Sequence, residues 1–239
     1  MKTNQFISVV LFIAAFFQFE VLSASQTNAD RQTRQISGFH GVSVSTGIDL
    51  YLTQKNAEEV VVETDADDLD KIITVVEGGI LKIYLKDKSW FSLNMKNVHR
   101  KVYVSFKTLD KLYASAGSDV VSESPLKLDN LKIEASSGSD VKLELEANEL
   151  SVESSSGSDV TLKGKAKFLQ AGASSGSDIN ADELQTRKCS ASTSSGSDIR
   201  VNVTDELSAN ASSGGDITYS GNPPKKDINK SSGGGVHGR

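Results

Sequence analysis

Six aspartates recur behind the same short phrase. Asp119, Asp140, Asp159, Asp178, Asp198 and Asp216 each follow Gly-Ser or Gly-Gly, in SAGSD, SSGSD (four times) and SSGGD. A row of carboxylates beside hydroxyls is oxygen-rich, so its first possible chemistry is cation binding. Ca²⁺ takes six to eight oxygen ligands. The Gly-x-Asp core is similar to that of the calcium-binding nonapeptide repeat. That repeat returns every nine residues, whereas this one returns about every 19. One Asp and a few Ser per copy reach the required oxygen count only by sharing across copies. Calcium at this row is thus a minor expectation, and no cofactor is otherwise indicated.

Other reactive side chains are sparse. His40, His99 and His237 lie far apart in sequence, and the serines of the phrase have no base beside them to activate a hydroxyl. No metalloprotease, nucleophile-elbow, phosphate-loop or Cys-x-x-Cys pattern is present. Cys189 is the single cysteine and cannot close an internal disulfide, so it reads as a small buried apolar residue. Aspartates combined with Arg187 or Arg200 could cleave polysaccharide in a suitable fold. A functional site usually interrupts a repeat, however, and these aspartates repeat it. The expectation is no enzymatic activity.

The elements that carry these residues follow from the spacing. The glycines of the phrase, Gly117, Gly138, Gly157, Gly176, Gly196 and Gly214, are 21, 19, 19, 20 and 18 residues apart, and Gly233 follows 19 later. Periods of this size mark a solenoid. Between phrases the apolar residues alternate: Val141, Leu143 and Leu145, then Leu150 and Val152; Val160 and Leu162, then Phe168, Leu169 and Ala171; Ile199, Val201 and Val203. Period two is the mark of a strand with one buried face. The predicted fold is all-β: a single-stranded parallel β-helix, or β-solenoid, with about 19–20 residues per turn in the C-terminal half.

In that fold the glycine occupies the corner, where a positive φ suits it. The residue after Asp points inward, so Asp points outward and the Ser before it inward. Ser139, Ser158, Ser177 and Ser197 then form an inner column and the aspartates an outer one. Unit charges about 4.8 Å apart repel by roughly 0.9 kcal/mol in bulk water. Backbone N–H groups accepted locally in the turn can offset this.

Residues 1–25 read as a signal peptide. Lys2 precedes an apolar run from Phe6 to Phe17, and Ser23-Ala24-Ser25 offers small residues for cleavage. The run is shorter than the ~20 apolar residues of a membrane span, so no integral span is expected after cleavage. Residues 26–35 are expected to be loose. Residues 36–222 form the solenoid domain. Within it, 36–113 is an irregular N-terminal part with longer strands and 114–222 carries the regular repeats. Residues 223–239 are a tail or a last partial turn. Within the irregular part, Glu77-Gly78-Gly79 signals a hairpin, and Asp65–Lys71 signals a helical turn capped by Asp65. Bulky residues gather here, as the cap of a solenoid requires. A glycan platform, if present, would use Tyr51, Tyr84, Trp90, Phe91 and Tyr103, although packing explains these residues more simply. The net charge of −5 disfavours nucleic acid as a partner.

Several motifs occur in a fixed order: FxxVxVSTGIDLYL, DLDKI, VEGGILKIYLK, VYVSFKTLDKLYASAGSDV, the Gly-Ser-Asp repeats, ITYSGNP and SSGGGV. In this the chain, from about Phe39 to Val236, resembles the head GIN domain family of autotransporter adhesins, which are exported bacterial β-helix-like proteins. The resemblance implies a right-handed helix and a location in the periplasm, at the cell surface or outside the cell. It also implies an adhesive or structural role toward a surface glycan or protein. It supplies no catalytic residues. The alternatives are a glycan-binding module stabilised by calcium and a polysaccharide-active enzyme.

Overall fold

The structure is a computed structural model that describes residues 30–86 and 99–239. The proposed signal peptide, Trp90 and Phe91 lie outside the described residues. The described chain is nearly all strand, with one 3-10 turn and no α-helix.

The regular half is built from long bent strands. β11 (Asp140–Ser155), β12 (Asp159–Ser174), β13 (Asp178–Thr193) and β14 (Asp198–Ala211) each make most of one rung. They pair in parallel, with Val141 beside Val160, Val160 beside Ile179, and Ile179 beside Ile199, and the register shifts once between β12 and β13 and twice between β13 and β14. Burial alternates along a first run, 140–147 in β11, slips phase at 148–149, then alternates along a second run, 150–155. The phase slip marks a bend. The Ser-Ser-Gly-Ser phrase makes the other corner.

Below these rungs lie β8 (Lys111–Ala114), β9 (Asp119–Ser122) and β10 (Leu126–Ser136), and above them β15 (Asp216–Ser220). The stack continues past Pro224. β16 (Lys225–Lys230) pairs with β14, and β17 (Gly235–Gly238) pairs with β15. The segment beyond residue 222 is therefore a rung with its own corner at Ser232-Gly233.

The irregular half departs from simple succession. β2 (Gly41–Val44) and β3 (Asp49–Gln54) form a rung around a corner at Thr46-Gly47. β6 (Ile80–Leu85) and β7 (Lys101–Phe106) form another. β2 pairs in parallel with both β6 and β8, and β3 with both β7 and β9. The first rung of the chain is thus second in the stack, inserted between segments that follow it in sequence.

Antiparallel strands complete that end. β4 (Glu59–Thr64) pairs with β7, and β5 (Ile72–Glu77) pairs with β6 through the Gly78-Gly79 turn. Both turn glycines have positive φ, 59° and 77°, as a tight hairpin requires.

Two expectations are corrected here. Residues 30–34, expected to be loose, are strand β1 (Asp30–Arg34), antiparallel to β4 from Asp30↔Thr64 to Arg34↔Val60. The sequence DRQTR carries no apolar alternation because β1 is an edge strand with almost no buried side chain. Its backbone satisfies the outer edge of β4. Arg34 fastens it, donating to the carbonyls of Ile72 (2.6 Å) and Leu69 (2.8 Å). Second, the turn at Ala66–Lys71 is 3-10, and Asp65 makes no side-chain cap bond. The Asp65 carbonyl instead accepts the Asp68 N–H at 2.9 Å. The buried Asp68 carboxylate binds Lys71 (2.6 Å) and Arg100 (3.1 Å).

Inward side chains stack as columns. One runs Leu131, Leu150, Leu169, Cys189, Leu207. Another shrinks along the axis, from Leu112 and Ile133 through Val152 to Ala171, Ala191 and Ala209.

Candidate functional site

The repeated phrase builds one edge of the molecule. At each corner the Gly has a φ of 68–78°, and the residue before it is also left-handed: Thr46, Ala116, Ser137, Ser156, Ser175, Ser195, Ser213 and Ser232, at 49–68°. The corner is a two-residue left-handed turn of which the spacing of glycines shows only half. A methyl group on Gly138, Gly157 or Gly176 would meet nothing within 4 Å. Glycine is there for its backbone freedom and not for space. The corners are tied rung to rung: the N–H of Gly117 donates to the Ser137 carbonyl (3.1 Å), and that of Gly157 to the Ser175 carbonyl (3.2 Å). The glycines line one edge.

Inside that edge, Ser118, Ser139, Ser158, Ser177 and Ser197 are fully buried. Their hydroxyls satisfy the corner. Ser158 Oγ donates to the Ser155 carbonyl (2.9 Å) and accepts the Ser155 N–H (3.1 Å). Ser177 Oγ donates to the Ser154 carbonyl (2.7 Å) and accepts the Ser174 N–H (3.2 Å). These serines are structural. Among the described residues none of them has a basic side chain within hydrogen-bonding distance.

Outside the edge run the aspartates, one per rung, side by side from Asp119 to Asp216. Asp49 extends the row into the inserted rung, where Leu50 lies beside Val120. Partial burial, and then the neighbours Asp140 and Asp49, hold the Asp119 carboxyl above the usual range. Partial burial, and then Asp178 and Asp140, do the same for Asp159. Relief comes from the next rung more than from the local turn: Asp178 Oδ1 accepts the Asp198 N–H at 3.2 Å. Lys142 approaches Asp140 at 3.8 Å, and His237 approaches Asp216 at 3.9 Å. The carboxylates stand parallel and do not converge. Among the described residues no group of three or more His, Cys, Asp or Glu side chains is arranged to hold a metal ion.

The other chemically capable residues are dispersed. His40 Nδ1 lies 2.8 Å from Asp110 Oδ1, His237 is in the last rung, and His99 is exposed. Arg187 pairs with Asp205 at 2.9 Å. Cys189 takes a leucine's place in the core, and burial pushes its thiol up to about 12, so it stays protonated and unreactive. Of the aromatic set, Tyr51 and Tyr103 stack on adjacent strands with ring centroids 4.9 Å apart. The Arg31 guanidinium lies 5.4 Å over Tyr103. Tyr84 lies on β6, in the run that pairs with β2, and does not join them.

One residue is misread by alternation alone. Phe168, grouped above with inward residues, is 47% exposed. It sits at the phase slip, in register with Glu149 and Lys188. The signal was available: Leu169 belongs to the leucine column, so its neighbour must point the opposite way.

With this geometry in view, the comparisons decide the family. The model of the family described as "Putative auto-transporter adhesin, head GIN domain" matches residues 38–223. The chain belongs to that family. Solved structures share the fold. A "putative adhesin" from Bacteroides fragilis is 24% identical, with a TM-score of 0.79 over 88% of this chain and 97% of that one. One from Parabacteroides merdae is 17% identical, with a TM-score of 0.70 over 88% and 96%. A "putative lipid binding protein" from Parabacteroides distasonis is 23% identical, with a TM-score of 0.68 over 90% and 98%. No curated protein matches the chain. Among the described residues no helix is long and apolar enough to cross a membrane.

Proposed function

We propose that this GIN-domain chain is exported and acts, without catalysing a reaction, as an adhesive or structural binding module of the cell envelope. One observation carries this reading: the continuous parallel stack of rungs that ends at β17, which yields long, stiff, polar faces. A stiff face suits an extended partner because little order must be created on binding. The test is fractionation with proteolysis of intact cells, followed by an attachment assay with and without the protein. Cleavage by external protease and weaker attachment on deletion are the expected results. A protein that stays in the cytoplasm would sink the reading.

A second reading, stabilisation of the same module by calcium, is favoured by the raised carboxylates of Asp119 and Asp159, which a cation would relieve. A melting temperature that is the same with Ca²⁺ and with EDTA would remove it.

A further inference from the structure

The second run of the repeat rungs carries, on its outer side, an open depression of about 630 Å³. Its floor is a straight row with one residue per rung: Ser151, Gln170, Ser190 and Ser208, in parallel register. Three steps of ~4.8 Å make this row about 14 Å long. Among the described residues none of these four side chains has a hydrogen-bond partner within the protein. Along one side stands the row Glu149, Phe168, Lys188, Glu206. Phe168 is one of only two large apolar side chains exposed among the described residues.

Within this wall Lys188 and Glu206 offset each other while Glu149 stays negative, and at the end of the floor row Lys132 pairs with Glu134 at 2.6 Å. Lys188 Nζ sits 5.9 Å over the Phe168 ring and 3.1 Å from the Glu206 carboxylate. Between these charges the floor offers uncharged hydroxyls and an amide at regular spacing beside one exposed ring. The backbone groups beneath are already paired in the parallel ladder, so an extended peptide finds no strand edge to join here. A polyanion finds no uncompensated cationic row. A neutral polymer of repeating polyols meets both features.

We propose that this shelf binds a neutral, extended glycan. The apolar C–H face of one sugar ring packs on Phe168. The floor residues exchange hydrogen bonds with the hydroxyls of successive sugars. The assignment rests on the binding-module reading above and names its ligand class.

The test is titration calorimetry of the chain from residue 26 onward with neutral hexaoses of glucose, mannose and xylose, and with a heparin hexaose as the charged control. Saturable binding to at least one neutral hexaose is expected, with little dependence on salt. Phe168→Ala and Ser190→Lys should each weaken it about tenfold or more, which is 1.4 kcal/mol or more. Both positions face outward, so an unchanged melting temperature certifies each variant. Tyr51→Ala should leave binding intact. The proposal is overturned if no neutral hexaose binds, if only heparin binds, or if the two shelf variants bind normally. It is equally overturned if Tyr51→Ala abolishes binding while the shelf variants retain it, since the site would then be the tyrosine stack. Attachment of intact cells separates the two readings. Failure of every hexaose with attachment preserved removes the shelf and leaves the adhesive module standing.

Discussion

The two halves of the molecule bury their apolar residues in the same kind of column but reach it by different routes. From β10 onward each rung is laid on the one before it, and the chain returns to the same corner about every 19 residues. In the first half, Gly47 and Gly117 are neighbours in the stack although 70 positions separate them. The Gly47 N–H donates to the Ala116 carbonyl at 3.0 Å. The contents differ too. At the corner position where the repeats bury a serine, the inserted rung buries Ile48. The first half fills its interior with Phe106, Ile48, Leu50 and Leu52, whereas one inward column of the later rungs narrows to Ala171, Ala191 and Ala209. The contrast shows that a regular edge can be maintained by local hydrogen bonds alone, while the end of the stack needs bulk and antiparallel strands to close it.

The comparison can be broken most directly in the cap. Phe106 is fully buried where β7 meets β3 and β4. Phe106→Ala should lower stability by about 3–5 kcal/mol in denaturant unfolding.

Glycines sharpen it next. Gly164 has a φ of 112°, and a methyl group there would lie 2.1 Å from the Leu145 carbonyl oxygen. Gly164→Ala should destabilise by about 3 kcal/mol, because backbone must move. Gly157→Ala, at φ 69° with open space around it, should lose only about 1 kcal/mol, the strain of a left-handed L-residue. Equal losses at the two sites would contradict the separation of backbone freedom from space.

A smaller effect tests the inner serines. Ser158→Ala leaves the Ser155 N–H and carbonyl without their buried partner and should lose about 1–2 kcal/mol. Ile48→Ser, the reverse exchange in the inserted rung, should also destabilise, since it puts a hydroxyl where the cap packs an apolar side chain.

The smallest expected effect lies in the aspartate row. Asp159 has its folded pKa raised, so the folded state binds its proton more tightly than the unfolded state does. Its contribution to stability is therefore least favourable at neutral pH and improves as pH falls through the folded value. Asp159→Asn should raise the melting temperature slightly at pH 7. The gain should shrink in high salt and vanish below the ordinary carboxylate range near 3.9. A variant less stable than the parent at pH 7 would mean that the carboxylate accepts more than it repels.

Much of this was legible from residues alone. The glycine interval and the alternation of Val141, Leu143 and Leu145 gave strands, turns and a parallel stack, because both signals are local and repeat. The orientation of Ser139 and Asp140 followed from the same alternation. Phe168 was misplaced because a bend shifts the phase by one residue, which alternation cannot see within a single copy. β1 was missed because an edge strand with almost no buried side chain leaves no pattern. The left-handed serines were missed because serine, unlike glycine, does not advertise that conformation.

Sequence by itself determined the kind of fold, the corner that each rung turns on and which side of the strand faces the core. These depend on interactions between residues a few positions apart, or between identical copies. Only the tertiary structure decided that the first rung is inserted between later ones, that an edge strand closes the cap and that Phe168 stands beside a row of uncharged side chains. Those outcomes depend on which strand edges remain unpaired once the others have met, and no single stretch of residues carries that information.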